Sequence, residues 1–259
     1  MVNEAGPTPI IEARAVVKTY GHVQALQRAD FTAYPGEVVA LIGDNGAGKS
    51  TLTKVLAGVI KPDAGELLFN GKRVEIPSPL AAQRLGIETV FQDLALAPDL
   101  DGAANVYLGR ELLKPGVLGK LGVLDKQAMK VAATDAFVNL GVAIKDATAS
   151  VGNLSGGQRQ GVAVARAASW ASKVIIMDEP TAALGVVQTE NVLNVIRRVR
   201  DSGVTVVLIS HNMPDVLKVA DRIEVLRLGR RVATFTAAEA TIESLVGAMT
   251  GALDSERAA

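Results

Sequence analysis

Val38-Val-Ala-Leu-Ile42-Gly43-Asp44-Asn45-Gly46-Ala47-Gly48-Lys49-Ser50 opens with five apolar residues and ends in a glycine-rich turn carrying a lysine and a hydroxyl. A short, near-continuous apolar run bounded by glycine has the length of a strand buried on both faces, as in a parallel sheet covered by helices. The loop fits the pattern G-x-x-x-x-G-K-[ST]. Its glycines let backbone N–H groups turn inward, and the helix that follows offers a positive N-terminus, a combination suited to a chain of phosphates. Lys49 would then reach the β- and γ-phosphates, and Ser50 would hold Mg²⁺ by its hydroxyl, because hard cations prefer oxygen. The plainer alternative is a Gly-rich strand-to-helix turn with an exposed lysine.

Three further β-branched runs read as strands: Gly86-Ile-Glu-Thr-Val-Phe91, Val174-Ile-Ile-Met177 and Val204-Thr-Val-Val-Leu-Ile209. Each leads at once into residues able to do phosphate or proton chemistry, namely Gln92, Asp178 with Glu179, and Ser210 with His211. In an open parallel sheet the carboxyl ends of the strands share one edge, where ligands bind, so one site would collect all four groups. There Asp178 can bind a metal, usually through its water, and Glu179 can poise the attacking water. Alternatively, either acid caps the next element before Pro180. Gln92 would contact metal or water, and His211 the γ-phosphate; His22 reads as a surface residue.

Helical patterns lie between the strands, over residues 49–58, 125–140, 158–170 and 187–201, so the expected fold is α/β. The last pattern ends Arg197-Arg198-Val-Arg200-Asp-Ser-Gly203, with cations in the final turn and a glycine stop. Residues 93–153 lack a comparable β-branched run and read as a mainly helical insertion. Residues 10–34, with Glu66-Leu-Leu-Phe69 and a turn at Asn70-Gly71, read as antiparallel strands packed on one side of the core. Boundaries follow: a single domain over residues 8–250, its core at 8–92 and 154–235, its helical part at 93–153, and a frayed tail at 251–259.

The chain has 259 residues, 49% apolar and 21% charged, which excludes intrinsic disorder, and no apolar stretch is long enough to cross a bilayer. Lys plus Arg and Asp plus Glu number 27 each, so no net basic field exists to gather nucleic acid, which is not an expected partner. Cysteine is absent, which removes disulfides and thiolate chemistry and fits a reducing compartment. Met1-Val-Asn-Glu-Ala-Gly-Pro7 lacks the pattern of a secretory signal, and the expected location is intracellular.

A second anion-binding pattern sits at Asn153-Leu154-Ser155-Gly156-Gly157-Gln158, just before a helix expected to begin near Gln158. Ser155 has N-cap character and the glycines expose N–H groups at the positive helix end. It carries no lysine of its own. Such a cradle makes most sense completing a site whose lysine belongs to a second copy related by a two-fold axis; the plain alternative is an ordinary capped helix start.

At these residues the sequence resembles the ATP-binding cassette family over nearly its whole length. The loop from Gly43 to Ser50, followed by Thr51, looks like that family's Walker A; Gln92 its Q-loop; Leu154-Ser-Gly-Gly-Gln158 its signature; Val174–Asp178 its Walker B. Glu179 matches the catalytic glutamate, His211 the switch histidine, and Tyr20 the aromatic that stacks on adenine. The resemblance implies a P-loop fold and two cassettes sandwiching two ATP·Mg²⁺. Gly43, Asp44, Asn45, Gly46, Ala47, Gly48, Lys49, Ser50 and Thr51 of one would face Ser155, Gly156, Gly157 and Gln158 of the other, with Ser50, Gln92 and Asp178 at the metal. Phe91-Gln-Asp-Leu-Ala-Leu96, Tyr107-Leu-Gly-Arg-Glu111 and Thr181-Ala-Ala-Leu-Gly185 look closer to the bacterial importers of ribose, xylose and fructose.

That likeness implies an ATPase subunit powering monosaccharide uptake from the cytoplasmic face of the inner membrane. Its expected partners are permease subunits, a second cassette as a homodimer, and indirectly an extracytoplasmic sugar-binding protein. Gly185 departs from the family's usual Asp, so no side-chain role across the dimer is assigned to it. Two rivals are weighed. An ATP-gated cassette of a soluble translation or DNA-repair machine sits poorly with zero net charge and no basic tail. A small-molecule kinase leaves Leu154 to Gln158 without a purpose.

Overall fold

Residues Val38–Ile42 form a fully buried strand whose side chains alternate between two cores: Val39 and Leu41 enter one, Val38, Ala40 and Ile42 the other. That is the period-two consequence of burying both faces of one strand. The same split recurs at Val174 and Ile176 against Ile175 and Met177, and at Val207 and Ile209 against Val206 and Leu208. This computed structural model describes residues 7–142, 144 and 149–252. The readings of Met1 to Gly6, of the tail beyond residue 252, and of residues 143 and 145–148 within the expected helical insertion lie outside the described residues.

In chain order the elements are β1 (Ile11–Tyr20), β2 (Val23–Ala33), β3 (Val38–Ile42), α1 (Lys49–Leu56), β4 (Ala64–Phe69), β5 (Lys72–Val74), α2 (Pro79–Arg84) and β6 (Ile87–Val90). Then come α3 (Gly102–Tyr107), α4 (Val117–Lys120), α5 (Lys126–Leu140) and a 3₁₀ turn at Val151–Asn153. The chain continues through α6 (Gly156–Trp170), β7 (Val174–Asp178), α7 (Val186–Asp201), β8 (Thr205–Ile209), α8 (Met213–Val219), β9 (Arg222–Arg227), β10 (Arg230–Thr236) and α9 (Ile242–Thr250). Two sheets result. One is antiparallel with order β2-β1-β4-β5; the other has order β10-β9-β3-β8-β7-β6 and is parallel except at β10.

The antiparallel sheet and α1 pack on one face of the parallel sheet, while α6, α7, α8 and α9 cover the other. A third, smaller core joins α3, α5 and α6 around Phe137, Val106 and Val162. Two strands escape the sequence reading. In β9, Arg222-Ile-Glu-Val-Leu-Arg227 alternates charge with apolar side chains and so looks like a half-exposed strand, yet Glu224 is fully buried. The helix after Ser155 also begins two residues earlier than expected, at Gly156, because Ser155 accepts from the Gln158 N–H while Gln158 Oε1 accepts from the Ser155 N–H.

Glu224 is buried in an ionic network that ties the two sheets together. Its Oε1 accepts from Arg222 Nη1 at 2.6 Å, from Arg231 at 3.3 Å and from the Thr32 N–H of β2 at 3.2 Å. Arg222 also holds Glu37 at 2.8 Å, donates to the Thr32 carbonyl, and lies over the Tyr34 ring at 5.1 Å. Burial pushes the Glu224 carboxyl above its ordinary pKa, and the arginines pull it back. A carboxyl raised in the folded state is favoured neutral, so its contribution is complete below the ordinary carboxyl pKa and is lost as pH rises through the folded value. Arg222→Ala, which strands this charge, should therefore cost about 3–5 kcal/mol at neutral pH. Thermal melts of the two proteins from pH 4 to pH 8 check this: the gap should widen as pH rises, and a small, pH-independent gap would refute the network's electrostatic role.

Candidate functional site

β3, β6, β7 and β8 all end at one edge of the parallel sheet, and the glycine-rich loop, Gln92, Asp178 with Glu179, and Ser210 with His211 each follow one of them. After β3 the chain turns through Gly43 to Gly48 into α1. At Gly43 and Gly48 the backbone passes so close to its neighbours that a side chain is excluded. A Cβ on Gly43, whose φ is +154°, would lie 2.2 Å from the Leu226 carbonyl of β9; one on Gly48, φ +103°, would lie 2.6 Å from the Ala25 carbonyl of β2. Gly229, in the turn between β9 and β10, donates to the Ala47 carbonyl at 2.9 Å and accepts from Gln27 of β2 at 2.8 Å. The loop is thus walled in by two strands.

α1 begins at Lys49 with Gly48 as its N-cap and no capping side chain, whereas α2, α3, α5, α6, α8 and α9 are each capped by Ser, Thr, Asp or Asn. Its first-turn N–H groups are left to an external acceptor, at the positive end of the helix dipole. Lys49 is buried and donates to the carbonyls of Gly43 at 2.6 Å and Asp44 at 3.0 Å. Burial pushes its pKa down, and the nearby charges of Glu179, Asp44 and Asp178 push it back up. Ser50, on the exposed side of the same turn, and Thr51 follow it along α1.

Asp178 closes β7. Burial raises its pKa, adjacent Glu179 raises it further, and Lys49 and Lys54 oppose the rise. Glu179 takes a left-handed φ of 51°, uncommon for a residue with a side chain, and its N–H donates to the Ile209 carbonyl of β8 at 2.9 Å. Its carboxylate lies 2.8 Å from His211 Nδ1, with the glutamate side chain 16% exposed and the histidine 68%. Thr181 Oγ1 donates to Asp215 of α8 at 3.1 Å, tying the segment after Glu179 to the one after His211. Asp215 escapes the sequence reading; the Asn212-x-x-Asp215 pattern, an N-cap followed by an acid in the first turn, is the signal for it.

The structure therefore brings together Lys49, Asp178, Glu179 and His211. Gln92 is exposed two residues beyond β6, which pairs with β7 through Val90 and Met177; among the described residues no hydrogen bond joins it to those four. Tyr20 ends β1, 47% exposed, with Lys18 Nζ 5.8 Å from its ring centroid. Ser155, Gly156, Gly157 and Gln158 stand apart at the start of α6, where Ser155 and Gln158 cap the helix reciprocally. Among the described residues no cluster of three or more His, Cys, Asp or Glu could hold a metal unaided. The Ser50 hydroxyl and the Asp178 carboxylate are hard-oxygen groups that could each take a place at a Mg²⁺ that keeps waters and draws its other ligands from phosphate.

The family model described as ABC transporter matches residues 26–182. The chain is 53% identical to the fructose import ATP-binding protein of Rhizobium meliloti, over 97% of each chain, and 46% identical to the xylose/arabinose import ATP-binding protein of Sulfolobus acidocaldarius, over 93% and 94%. A ribose import ATP-binding protein of Burkholderia cenocepacia is 40% identical over 97% of this chain, which spans 48% of that protein's length. Among solved structures, an ABC transporter cassette in its ADP conformation superposes with a TM-score of 0.77 at 27% identity, covering 93% and 95% of the two chains. A dimeric bacterial ABC transporter cassette gives 0.73 at 25%, covering 88% and 98%. The chain belongs to the ABC transporter family, as one of its ATP-binding cassettes.

Proposed function

We propose that this chain is the ATP-hydrolysing subunit of a monosaccharide importer, working as a face-to-face pair beneath a membrane permease. The observation that carries the reading is the division of the phosphate-binding groups: Lys49 with Asp178, Glu179 and His211 form one cluster, and Ser155 to Gly157 form another that has no lysine. Each chain then supplies half of two sites. Gly43 to Thr51 cradles the triphosphate of its own side, Tyr20 stacks on the adenine, and Ser155, Gly156, Gly157 and Gln158 of the facing copy close over the γ-phosphate.

Mg²⁺ held by Ser50, Asp178 and Gln92 would neutralise charge between the β- and γ-phosphates. Glu179 accepts a proton from the attacking water while the water oxygen bonds to the γ-phosphorus and the bond to the bridging oxygen breaks, giving ADP and phosphate. His211, held by Glu179, presents its other ring nitrogen toward the γ-phosphate. Losing that phosphate removes the bridge between the copies, so nucleotide state drives opening and closing. The cassette occupies residues 8–250, and its helical part, residues 93–153, meets the permease on the cytoplasmic face of the inner membrane. An extracytoplasmic binding protein selects the sugar. Among the described residues no helix is long and apolar enough to cross a membrane, in keeping with a peripheral subunit.

Co-purification with its permease, followed by ATPase assays with candidate sugars and their binding protein, tests the whole reading; phosphate release indifferent to every sugar and permease would overturn it. Four substitutions test the site. Glu179→Gln should keep ATP affinity within a few-fold while slowing hydrolysis about 10²–10⁴-fold, and ordinary turnover would remove the assigned role. Ser155→Arg and Lys49→Ala should each fail alone to form an ATP-dependent dimer, yet a mixture holds one intact composite site; light scattering should detect heterodimers there, and mixtures no better than either parent would count against sharing. Asp178→Asn relieves a half-buried charge beside Glu179, so calorimetry without nucleotide should show a higher melting temperature while ATPase activity falls; a lower melting temperature would contradict the electrostatic account.

A further inference from the structure

Arg166 lies three turns into α6, about 15 Å from the helix N-terminus. Its guanidinium donates to two consecutive carbonyls of the segment after Gln92, Nη1 to Ala95 at 2.7 Å and Nη2 to Leu94 at 2.9 Å. Both acceptors have left-handed backbone, φ 53° at Leu94 and 45° at Ala95, a conformation that ordinary side chains rarely adopt and that two in succession hold only if the surroundings impose it. A planar fork reading two carbonyls supplies that imposition, which a lysine could do only in part.

The rest of the α6 C-terminal half is tied down in the same direction. Glu88 of β6 accepts from Arg110 at 2.5 Å; Arg110 lies over the Trp170 ring at 4.8 Å; and Trp170 donates to the Val106 carbonyl of α3 at 2.9 Å. One rigid helix therefore carries the Ser155 anion cradle at its start and grips the Gln92 loop near its end.

We infer that Arg166 is a positioning residue that makes the Gln92 loop move with α6, so that engagement of Ser155 to Gly157 by the facing copy's nucleotide sets the loop at the chain's own site. This inference rests on the ATPase reading above, which gives both ends of α6 their roles.

The chain has no cysteine, so Asp93→Cys supplies a unique spin-label position beside Gln92, and Lys72→Cys on exposed β5 a control. In Arg166→Met, the label at 93 should become more mobile without nucleotide while that at 72 does not change. In unlabelled protein kcat should fall about tenfold or more with KM for ATP within about threefold, and Arg166→Lys should recover part of the loss. An unchanged label at 93, an unchanged kcat, or equal loosening at both positions with a collapsed melting temperature would overturn the inference. If Arg166→Met does not fold, the same readouts on Arg166→Lys decide, with intermediate mobility expected. The nucleotide-free label measurement stands whether or not the chain hydrolyses ATP, so failure of the clamp and failure of the ATPase reading are distinguishable.

Discussion

The phosphate loop runs against β9 and β2 with no room for a side chain between, and the rest of the site depends on that contact. At Gly43 and Gly48 the neighbouring carbonyls of Leu226 and Ala25 occupy the space a Cβ would need. The hydrogen bond from Gly229 to Ala47 closes the loop from the hairpin side. A loop pinned in this way cannot relax around its ligand. Its N–H directions, the register of α1 and the buried placement of Lys49 are set by the fold itself, the kind of preorganisation that electrostatic stabilisation of an anion needs. The antiparallel sheet is thus more than a cover for the core, since β2 forms one wall of the cradle.

Strand spacing explains why the second anion cradle cannot serve the first. α6 packs against β6, and β6 lies three strands from β3 in the parallel sheet, roughly 14 Å at the usual spacing, before the thickness of a helix layer is added. α6 leads into β7 and runs back along the sheet, so its N-terminus does face the same edge as the phosphate loop. The two cradles are therefore displaced sideways at one edge. A γ-phosphate within hydrogen-bond reach of both is excluded inside one chain and natural between two copies related by a two-fold axis.

Much of this was legible because the informative residues are local. Four apolar runs, the glycine loop, the Asp178-Glu179 pair and the Ser155-Gly-Gly turn each declare themselves within a few positions, and the structure puts the four strand ends on one edge. What stayed hidden is non-local. β9 conceals a buried Glu224 that only the arginines of β9 and β10 and the backbone of β2 make tolerable, so its alternation misleads. The left-handed φ of Glu179 goes with an N–H bond to Ile209 of β8, 30 positions away, and Arg166 looks like one more helix arginine until its carbonyl partners, 71 and 72 positions away, are known. Contacts at such separations leave no periodic trace in the sequence.

Gly185, where the usual pattern has an acid, gains a structural context of the same kind. It is the N-cap of α7, with φ −73° and ψ 167°, a backbone any residue can adopt, so backbone strain does not explain the glycine. A side chain there would meet Gln188 Oε1 at 2.7 Å, and the same Gln188 presses its Cγ to within 2.7 Å of where a Cβ on Gly157 would stand. One glutamine thus fills the space beside both the Ser155 cradle and the start of α7. A side chain at 185 would have to displace the end of Gln188, which is the flexible part of that side chain. Gln188 is thus the neighbour common to Gly157 and Gly185, and through it the turn at Ser155 and the start of α7 share one side chain.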